Sequence, residues 1–202
     1  MKNIRRKEQI AGIVLAAGEA RRFGAPKQML HWNGVPFIQH ICNVLLESGL
    51  SHVHVVLGAY QDEIKQVLVE MPVTIVENLQ WKKGLSTSVK TGVKSLPEGI
   101  EAVMMCLVDQ PQIPVALFEQ VIDRYLNTNT NIIAPWVNER RGNPVLFSRE
   151  YFDALQNIKG DKGAKEILRK AQIEKVFWED AGILKDVDTP EDWVELEITI
   201  LD

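Results

Sequence analysis

The chain has 202 residues, 46% of them hydrophobic, which is ample for the core of one domain and short for two independent ones. Asp and Glu number 27 against 23 Lys and Arg, and the formal net charge of −4 excludes a general nucleic-acid or anionic-membrane binder, because both need a basic excess. The two cysteines, Cys42 and Cys106, have no second Cys or His at ligand spacing, so both read as small packed hydrophobes of a reduced, cytoplasmic protein rather than as zinc ligands or a disulfide.

Lys2, Arg5, Arg6 and Lys7 ahead of the apolar segment 10–18 imitate a secretory signal, yet that segment is short and holds Gly12 and Gly18, so export is not expected. No uninterrupted apolar run of about 20 residues occurs, and no transmembrane helix is expected. Ile13 to Ala17 reads as a buried strand delivering a flexible cationic loop, Gly18 to Lys27, to a sheet edge. Glycines let backbone N–H groups approach phosphate oxygens, and Arg21, Arg22 and Lys27 supply charge that a merely structural turn does not need. The loop is therefore expected to bind phosphate, a solvated basic face being the plainer alternative. It is no Walker A loop, since five residues separate Gly18 from Gly24 and Ala25-Pro26 precede Lys27, and no G-x-G-x-x-G occurs either.

Met29 to Trp32 is expected to be a short extended piece. Phe37, Ile38, Ile41, Val44 and Leu45 recur at helical spacing behind Pro36 and before Gly49, predicting a helix over 36–48 with Pro36 in its first turn. Val53 to Leu57 predicts a strand, Ile64, Val67 and Leu68 a helix, and Val73 to Val76 a third strand. Strand and helix alternating through short connections predict a parallel sheet covered on both faces. Gly84 stands just before a helix reaching Leu96, and the Gly84-Leu85-Ser86 start offers backbone donors and hydroxyls to a ligand, or Ser86 merely caps the helix. Ala102 to Val108 is the most continuous apolar run and predicts the central strand, ending in Asp109, a carboxylate that needs a compensating cation at the ligand-binding end of a parallel sheet. A helix over 114–125, a strand over 132–135, a polar loop over 138–144, a strand-like Val145-Leu146-Phe147 and a strand at Val176-Phe177 follow. Asp186 and Asp188 alternate around Val187, which puts both carboxylates on one side of an extended segment before a last helix begun by Thr189-Pro190. His31, His40, His52 and His54 lie within regular elements or far from these segments and are not expected to be catalytic; Trp81, Trp136, Trp178 and Trp193 are expected in core or rim, Trp136 as a candidate wall of an acceptor pocket.

The series Leu15, Ala16, Ala17, Gly18, Arg22, Gly24 and Lys27 resembles the opening signature of nucleotidyltransferases that activate sugar phosphates, isoprenoid precursors and molybdenum cofactor. Matched segments extend to Asp192: Gly84 with Ser88-Val89, Asp109 with Pro111, Gly142-Asn143-Pro144-Val145, Gly160-Asp161-Lys162-Gly163-Ala164, and Asp186-Val187-Asp188-Thr189-Pro190-Glu191-Asp192. Together they most resemble the molybdenum cofactor cytidylyltransferase branch, including versions serving xanthine dehydrogenases of purine degradation. The resemblance implies a three-layer α/β/α, Rossmann-like (GT-A-like) nucleotidyltransferase fold with a mostly parallel central sheet, as a single domain 1–202 whose half 1–110 binds nucleotide and whose half 111–202 binds acceptor. It implies transfer of CMP from CTP to a molybdopterin phosphate with release of pyrophosphate, Mg²⁺ as cofactor on Asp109 and Asp188, and catalytic roles for Arg22, Lys27 and Asp109. Contacts to nucleotide or acceptor are implied at Leu15, Ala16, Ala17, Gly18, Gly24, Lys27, Gly84, Ser88, Gly142, Asn143 and Pro144, and transient contact with a molybdoenzyme follows. Ser88 would meet base or ribose. Asp186 remains an alternative to Asp188, and the segment 160–164 either flanks the acceptor or caps a helix. Ala16-Ala17, where guanylyltransferases tend to carry glycine, leans toward CTP.

The chain departs from the pattern at Val108 for Gly, Gln110 for Met and Asn143 for His; an Asn hydrogen-bonds but does not shuttle protons near neutral pH. A transferase for another phosphorylated acceptor, a noncatalytic cofactor-insertion factor and an oxidoreductase recruited from this fold are the alternatives, the last lacking any dinucleotide fingerprint.

Overall fold

All seven residues of the first strand, Ile10–Ala16 (β1), are buried, as an apolar run must be when helices cover a sheet on both faces. The computed structural model describes residues 5–161 and 163–201, so Lys2 and Lys162 lie outside the described residues. The strands that follow are β2 (His31–Trp32), β3 (Val35–Pro36), β4 (His52–Leu57), β5 (Thr74–Glu77), β6 (Ala102–Leu107), β7 (Ile132–Val137), β8 (Arg140–Arg141), β9 (Val145–Ser148) and β10 (Glu174–Phe177). The helices are α1 (Phe37–Glu47), α2 (Gln61–Leu68), α3 (Leu85–Lys94), α4 (Val115–Asn127), α5 (Phe152–Asn157), α6 (Lys165–Lys170) and α7 (Pro190–Leu201).

The main sheet runs β10-β7-β9-β6-β1-β4-β5, with β8 added beside β7. Successive side chains of each strand enter opposite layers. Ile10, Val14, Met104 and Cys106 pack with α1, α2 and α4 on one face, whereas Ala11, Ile13, Val103 and Met105 pack with α3, α5 and α6 on the other. This is the expected three-layer α/β/α architecture, with β6 in the middle of the sheet order. Helix α3 seats close on β1 because it carries Gly92, where a Cβ would stand 2.8 Å from Ile13 Cγ2.

The sheet is parallel at β1·β4, β1·β6, β4·β5 and β7·β10, but β9 runs antiparallel between β6 and β7. The strand-helix alternation of the first half does not announce that reversal, because β7 returns through a hairpin rather than a helix. Residues 138–144, expected as a polar loop, contain this hairpin: Asn138 and Glu139 turn with positive φ, and Arg140–Arg141 pair back onto β7. Helix α5 was not expected; only Phe152 and Leu155 of it are buried, too few apolar positions to show a period. Met29–Trp32 is not one extended piece, since Lys27–Met29 make a 3-10 turn before the β2–β3 hairpin. Pro36 sits at the N-cap of α1 instead of its first turn, and Gly49, at φ +83°, stops that helix. Both cysteines are buried and free, burial pushing the Cys42 thiol up to about 12. His40 Nε2 lies 2.9 Å from the Pro111 carbonyl oxygen and His54 Nδ1 lies 2.9 Å from Ser95 Oγ, each in a structural setting.

Candidate functional site

Three chain segments meet beyond the carboxyl ends of β1 and β6. The loop after β1 leaves through Ala17 and Gly18, turns at Ala20 (φ +50°) and Gly24 (φ +77°), and returns to the sheet at Lys27. Gln28, only 2% exposed, ties that return down, its Nε2 donating to the carbonyl oxygens of Ala16 at 2.9 Å and Gly18 at 3.0 Å. Sequence reasoning missed Gln28; its position beside Lys27 was the available signal. Lys27 is thereby aimed at the end of β6, where its Nζ donates to Asp109 Oδ2 at 2.9 Å and to Asp188 Oδ1 at 2.7 Å. Arg22 donates to the other oxygen of Asp188 at 2.6 Å. The backbone brings the C-terminal segment into register, with the Val187 N–H donating to the Asp109 carbonyl oxygen at 2.9 Å. Val187 is buried while Asp186 and Asp188 turn to the cleft side, as the alternation required. Arg21 lines the same cleft but pairs with Glu19 at 2.9 Å, with 81% of its side chain exposed.

Burial works to lower the Lys27 pKa, but the charges and hydrogen bonds of Asp109 and Asp188 outweigh it and hold the ammonium above its ordinary value. Burial works to raise Asp188, yet Lys27 and Arg22 keep its carboxyl below the usual range. At Asp186 burial and the nearby Asp109 charge prevail over a Gln110 hydrogen bond, and its pKa is raised. Among the described residues no group of three or more His, Cys, Asp or Glu converges on a metal position. Two carboxylates do converge here, and Asp109 Oδ1 is buried without a partner, a cost that a cation on that oxygen would remove. A pair of carboxylates leaving most positions to water and substrate phosphate is a donor set that suits a hard divalent cation.

This cleft, of about 510 Å³, is lined by Leu15, Ala16, Ala17, Gly18, Arg22 and Lys27 on one side and by Gly84, Ser88, Asp109 and Asp188 on the other. Gly24 does not line it and serves the turn. Ser88 is 4% exposed, and its Oγ accepts from Nδ2 of the buried Asn78 at 3.0 Å, so the hydroxyl proton stays available. Asn78 Nδ2 also donates to Thr87 Oγ1 at 2.9 Å. Trp81 stands at the cleft wall over Gly58, where a Cβ would lie 2.6 Å from its Cγ. Ser86 does not cap α3: Gly84 is the N-cap residue, with φ +106°, and the Leu85 N–H is capped by Asp161 Oδ1 at 3.1 Å from a remote segment. Asp161 thus caps α3 rather than the helix that follows it, α6, which has no side-chain cap among the described residues, and Asp161, Gly163 and Ala164 also line a second cavity.

That second cavity, about 480 Å³, shares Leu15, Leu85, Leu107 and Asp161 with the first and has an apolar floor including Val89, Met105 and Phe147. Gly142 and Asn143 line it; Pro144, joined to Asn143 by a cis peptide bond, is buried and does not. Trp136 is not among its walls, because β7 turns that ring toward Lys175, whose Nζ lies 4.0 Å from the ring centroid. Arg141 is the group the sequence left unassigned. It is half-buried, burial lowers its pKa, and among the described residues no carboxylate pairs with it. A guanidinium without a carboxylate partner among the described residues, beside a partly apolar cleft, suits an anionic ligand.

Residues 12–176 match the family model described as the MobA-like NTP transferase domain. The chain is 29% identical over 199 residues to a probable molybdenum cofactor guanylyltransferase of Bacillus cereus (strain Q1), covering 93% of this chain and 95% of that protein. It is 26% identical to the purine catabolism protein PucB of Bacillus subtilis, over 93% of this chain and 96% of PucB, and 26% identical to nicotine blue oxidoreductase of Paenarthrobacter nicotinovorans, with the same two coverages. Among solved structures, Rv0371c of Mycobacterium tuberculosis superposes with a TM-score of 0.84 at 25% identity, covering 95% of this chain and 98% of that one. A manganese complex of Rv0371c aligns with a TM-score of 0.78 at 26% identity, covering 93% and 97%. With that family match spanning most of the sheet and the loop between β1 and Lys27 inside it, the chain belongs to the MobA-like NTP transferase domain family and is a nucleotidyltransferase.

Proposed function

We propose that the protein transfers CMP from CTP to the terminal phosphate of a molybdopterin-type acceptor, giving a dinucleotide cofactor and pyrophosphate. The observation that carries this reading is the junction of two clefts at the carboxyl end of β6, one holding Lys27 between Asp109 and Asp188, the other holding Arg141, which has no carboxylate partner among the described residues. Leu15 to Gly18, Arg22 and Lys27 would receive the triphosphate, and Arg141 with Gly142 and Asn143 the acceptor. The acceptor phosphate attacks the α-phosphorus, the bond to the bridging oxygen breaks, and pyrophosphate leaves. A phosphate nucleophile is already anionic, so no general base is needed and the work of the chain is positioning and charge neutralisation. Asp109 and Asp188 would hold Mg²⁺, which when bound neutralises phosphate charge. The manganese complex of Rv0371c supports a divalent ion in this role.

The halves 1–110 and 111–202 would divide nucleotide from acceptor, with Asp188 crossing into the nucleotide cleft and Leu85 and Val89 into the acceptor cleft. Contact with a receiving molybdoenzyme is part of the proposal. For the base, Ala17 narrows the loop beside the cleft and the Ser88 hydroxyl can donate to a pyrimidine oxygen, which supports CTP. The name of the B. cereus relative favours GTP instead. Pyrophosphate release with each of the four nucleoside triphosphates, with and without molybdopterin, tests both. Release dependent on CTP and molybdopterin supports the proposal; a preference for GTP replaces the cytidylyl reading by the guanylyl one. Turnover with neither sinks both and leaves a transferase for another phosphorylated acceptor, the insertion-factor reading and the oxidoreductase reading, the last of which nicotine blue oxidoreductase brings forward.

A further inference from the structure

Gln110, immediately after Asp109, is 5% exposed and lines the second cleft. Its Nε2 donates to Asp186 Oδ1 at 2.6 Å, and its Oε1 accepts from Asn143 Nδ2 at 2.9 Å. Three segments far apart in sequence are joined through this one amide: the end of β6, the turn entering β9, and the strip that delivers Asp188.

The direction of these hydrogen bonds is dictated from one end. As a carboxylate Asp186 only accepts, so Gln110 must turn its NH₂ toward it and its carbonyl away. That carbonyl accepts only, so Asn143 must in turn present its own NH₂ to Gln110. Asn143 Oδ1, which has no partner among the described residues, is left on the acceptor-cleft side, since Asn143 lines that cleft. Without Asp186 either amide could reverse at little cost, because oxygen and NH₂ have nearly the same shape.

We propose that the Asp186–Gln110–Asn143 relay is a positioning device that fixes the polarity of Asn143, so that the acceptor cleft offers a carbonyl oxygen to an N–H or O–H donor of the acceptor. The proposal rests on the acceptor reading of the second cleft. In that setting Arg141 selects the anionic part of the acceptor and Asn143 selects a donor group elsewhere on it, such as a ring N–H. Asp186 and Gln110 also line that cleft, and within the relay they act through Asn143.

Two measurements on the full chain test the relay, the first independent of turnover. Side-chain amide exchange of Gln110 and Asn143, followed by NMR at pH 8, should be slow in wild type and at least about tenfold faster at both residues in Asp186→Ala, as expected when hydrogen bonds worth roughly a factor of ten are lost. An Asn143 amide that exchanges equally in the two proteins overturns the relay. The second measurement is steady-state transfer. Gln110→Met, which neither donates to Asp186 nor accepts from Asn143, and Asn143→Asp, which cannot donate to Gln110, should each raise KM for molybdopterin about tenfold with KM for the nucleotide unchanged. Asn143→His, which keeps one ring N–H for Gln110 and one acceptor nitrogen for the cleft, should have a KM for molybdopterin clearly below that of Asn143→Asp. Equal rises in both KM values, or a His variant as impaired as the Asp variant, overturn the proposal. Wild type that turns over no molybdopterin while the exchange pattern holds refutes the acceptor reading of the cleft, and with it the recognition role, but not the hydrogen-bonded relay.

Discussion

Lys27 Nζ lies 2.9 Å from Asp109 Oδ2 across 82 positions of sequence, and the same ammonium reaches Asp188 Oδ1 at 2.7 Å across 161. One cation thus compensates two carboxylates at the junction of the clefts. The Lys27 side chain is only 11% exposed, and removing it leaves Asp109 without its cation and Asp188 with Arg22 alone. Lys27→Ala should therefore lower transfer by about 10²–10³-fold and destabilise the fold by about 1–3 kcal/mol. Mg²⁺ should raise the melting temperature of the variant more than that of wild type, as a divalent ion takes the place of the ammonium. Equal Mg²⁺ responses in a thermal-shift titration would exclude the two carboxylates as its ligands.

Asp109→Asn keeps the volume and removes the charge. Lys27 retains Asp188, so the stability change should be within about 1 kcal/mol, while Mg²⁺-dependent activity falls by at least about a hundredfold. Activation curves against Mg²⁺ decide it; identical midpoints in the two proteins would rule out Asp109 as a ligand.

Gly58→Ala places a methyl 2.6 Å from Trp81 Cγ and 2.8 Å from the Ala17 carbonyl oxygen. The indole must move, at a cost of about 1–3 kcal/mol, and the cleft wall moves with it. Nucleotide affinity measured by calorimetry should drop together with stability; a destabilised variant with unchanged affinity would remove Trp81 from the nucleotide wall.

Asp161→Ala deprives the Leu85 N–H of its acceptor and should cost about 1 kcal/mol in urea unfolding, the usual worth of a helix cap. Asp161→Asn, which still accepts through its amide oxygen, should recover most of this. Failure of Asn to recover any would show that charge rather than capping matters.

His54 and His40 are both held below the ordinary imidazole pKa of 6.5, burial being the largest cause in each and the His52 charge adding to it at His54. The unfolded chain then binds more protons than the folded one below that value, so stability is full above the ordinary pKa and is lost as pH falls below it. Melting temperatures at pH 7.5 and 5.5 should differ less in His54→Gln than in wild type; an unchanged difference would exonerate His54.

The sequence by itself determined the elements that carry a strong period or a distinctive spacing. The uninterrupted apolar runs of β1 and β6, the helical spacing from Phe37 to Leu45, and the series from Leu15 to Lys27 each state a local requirement: burial on both faces, burial on one stripe, and a small-residue cationic loop. Asp109 was visible as a lone carboxylate at the end of an apolar run, and the alternation of Asp186 and Asp188 around Val187 was legible from the two-residue period of extended chain. What only the tertiary structure decided are relationships between segments that no local pattern encodes. The antiparallel insertion of β9, the capping of Leu85 by Asp161, the clamp of Gln28 on Ala16 and Gly18, and the exposure of Arg141 to an apolar cleft all depend on which strand lies beside which. So does the pairing of Lys27 with two carboxylates, because a hydrogen bond is satisfied by proximity in space, and the sequence fixes residue chemistry long before it reveals which distant partner folding will bring within 3 Å.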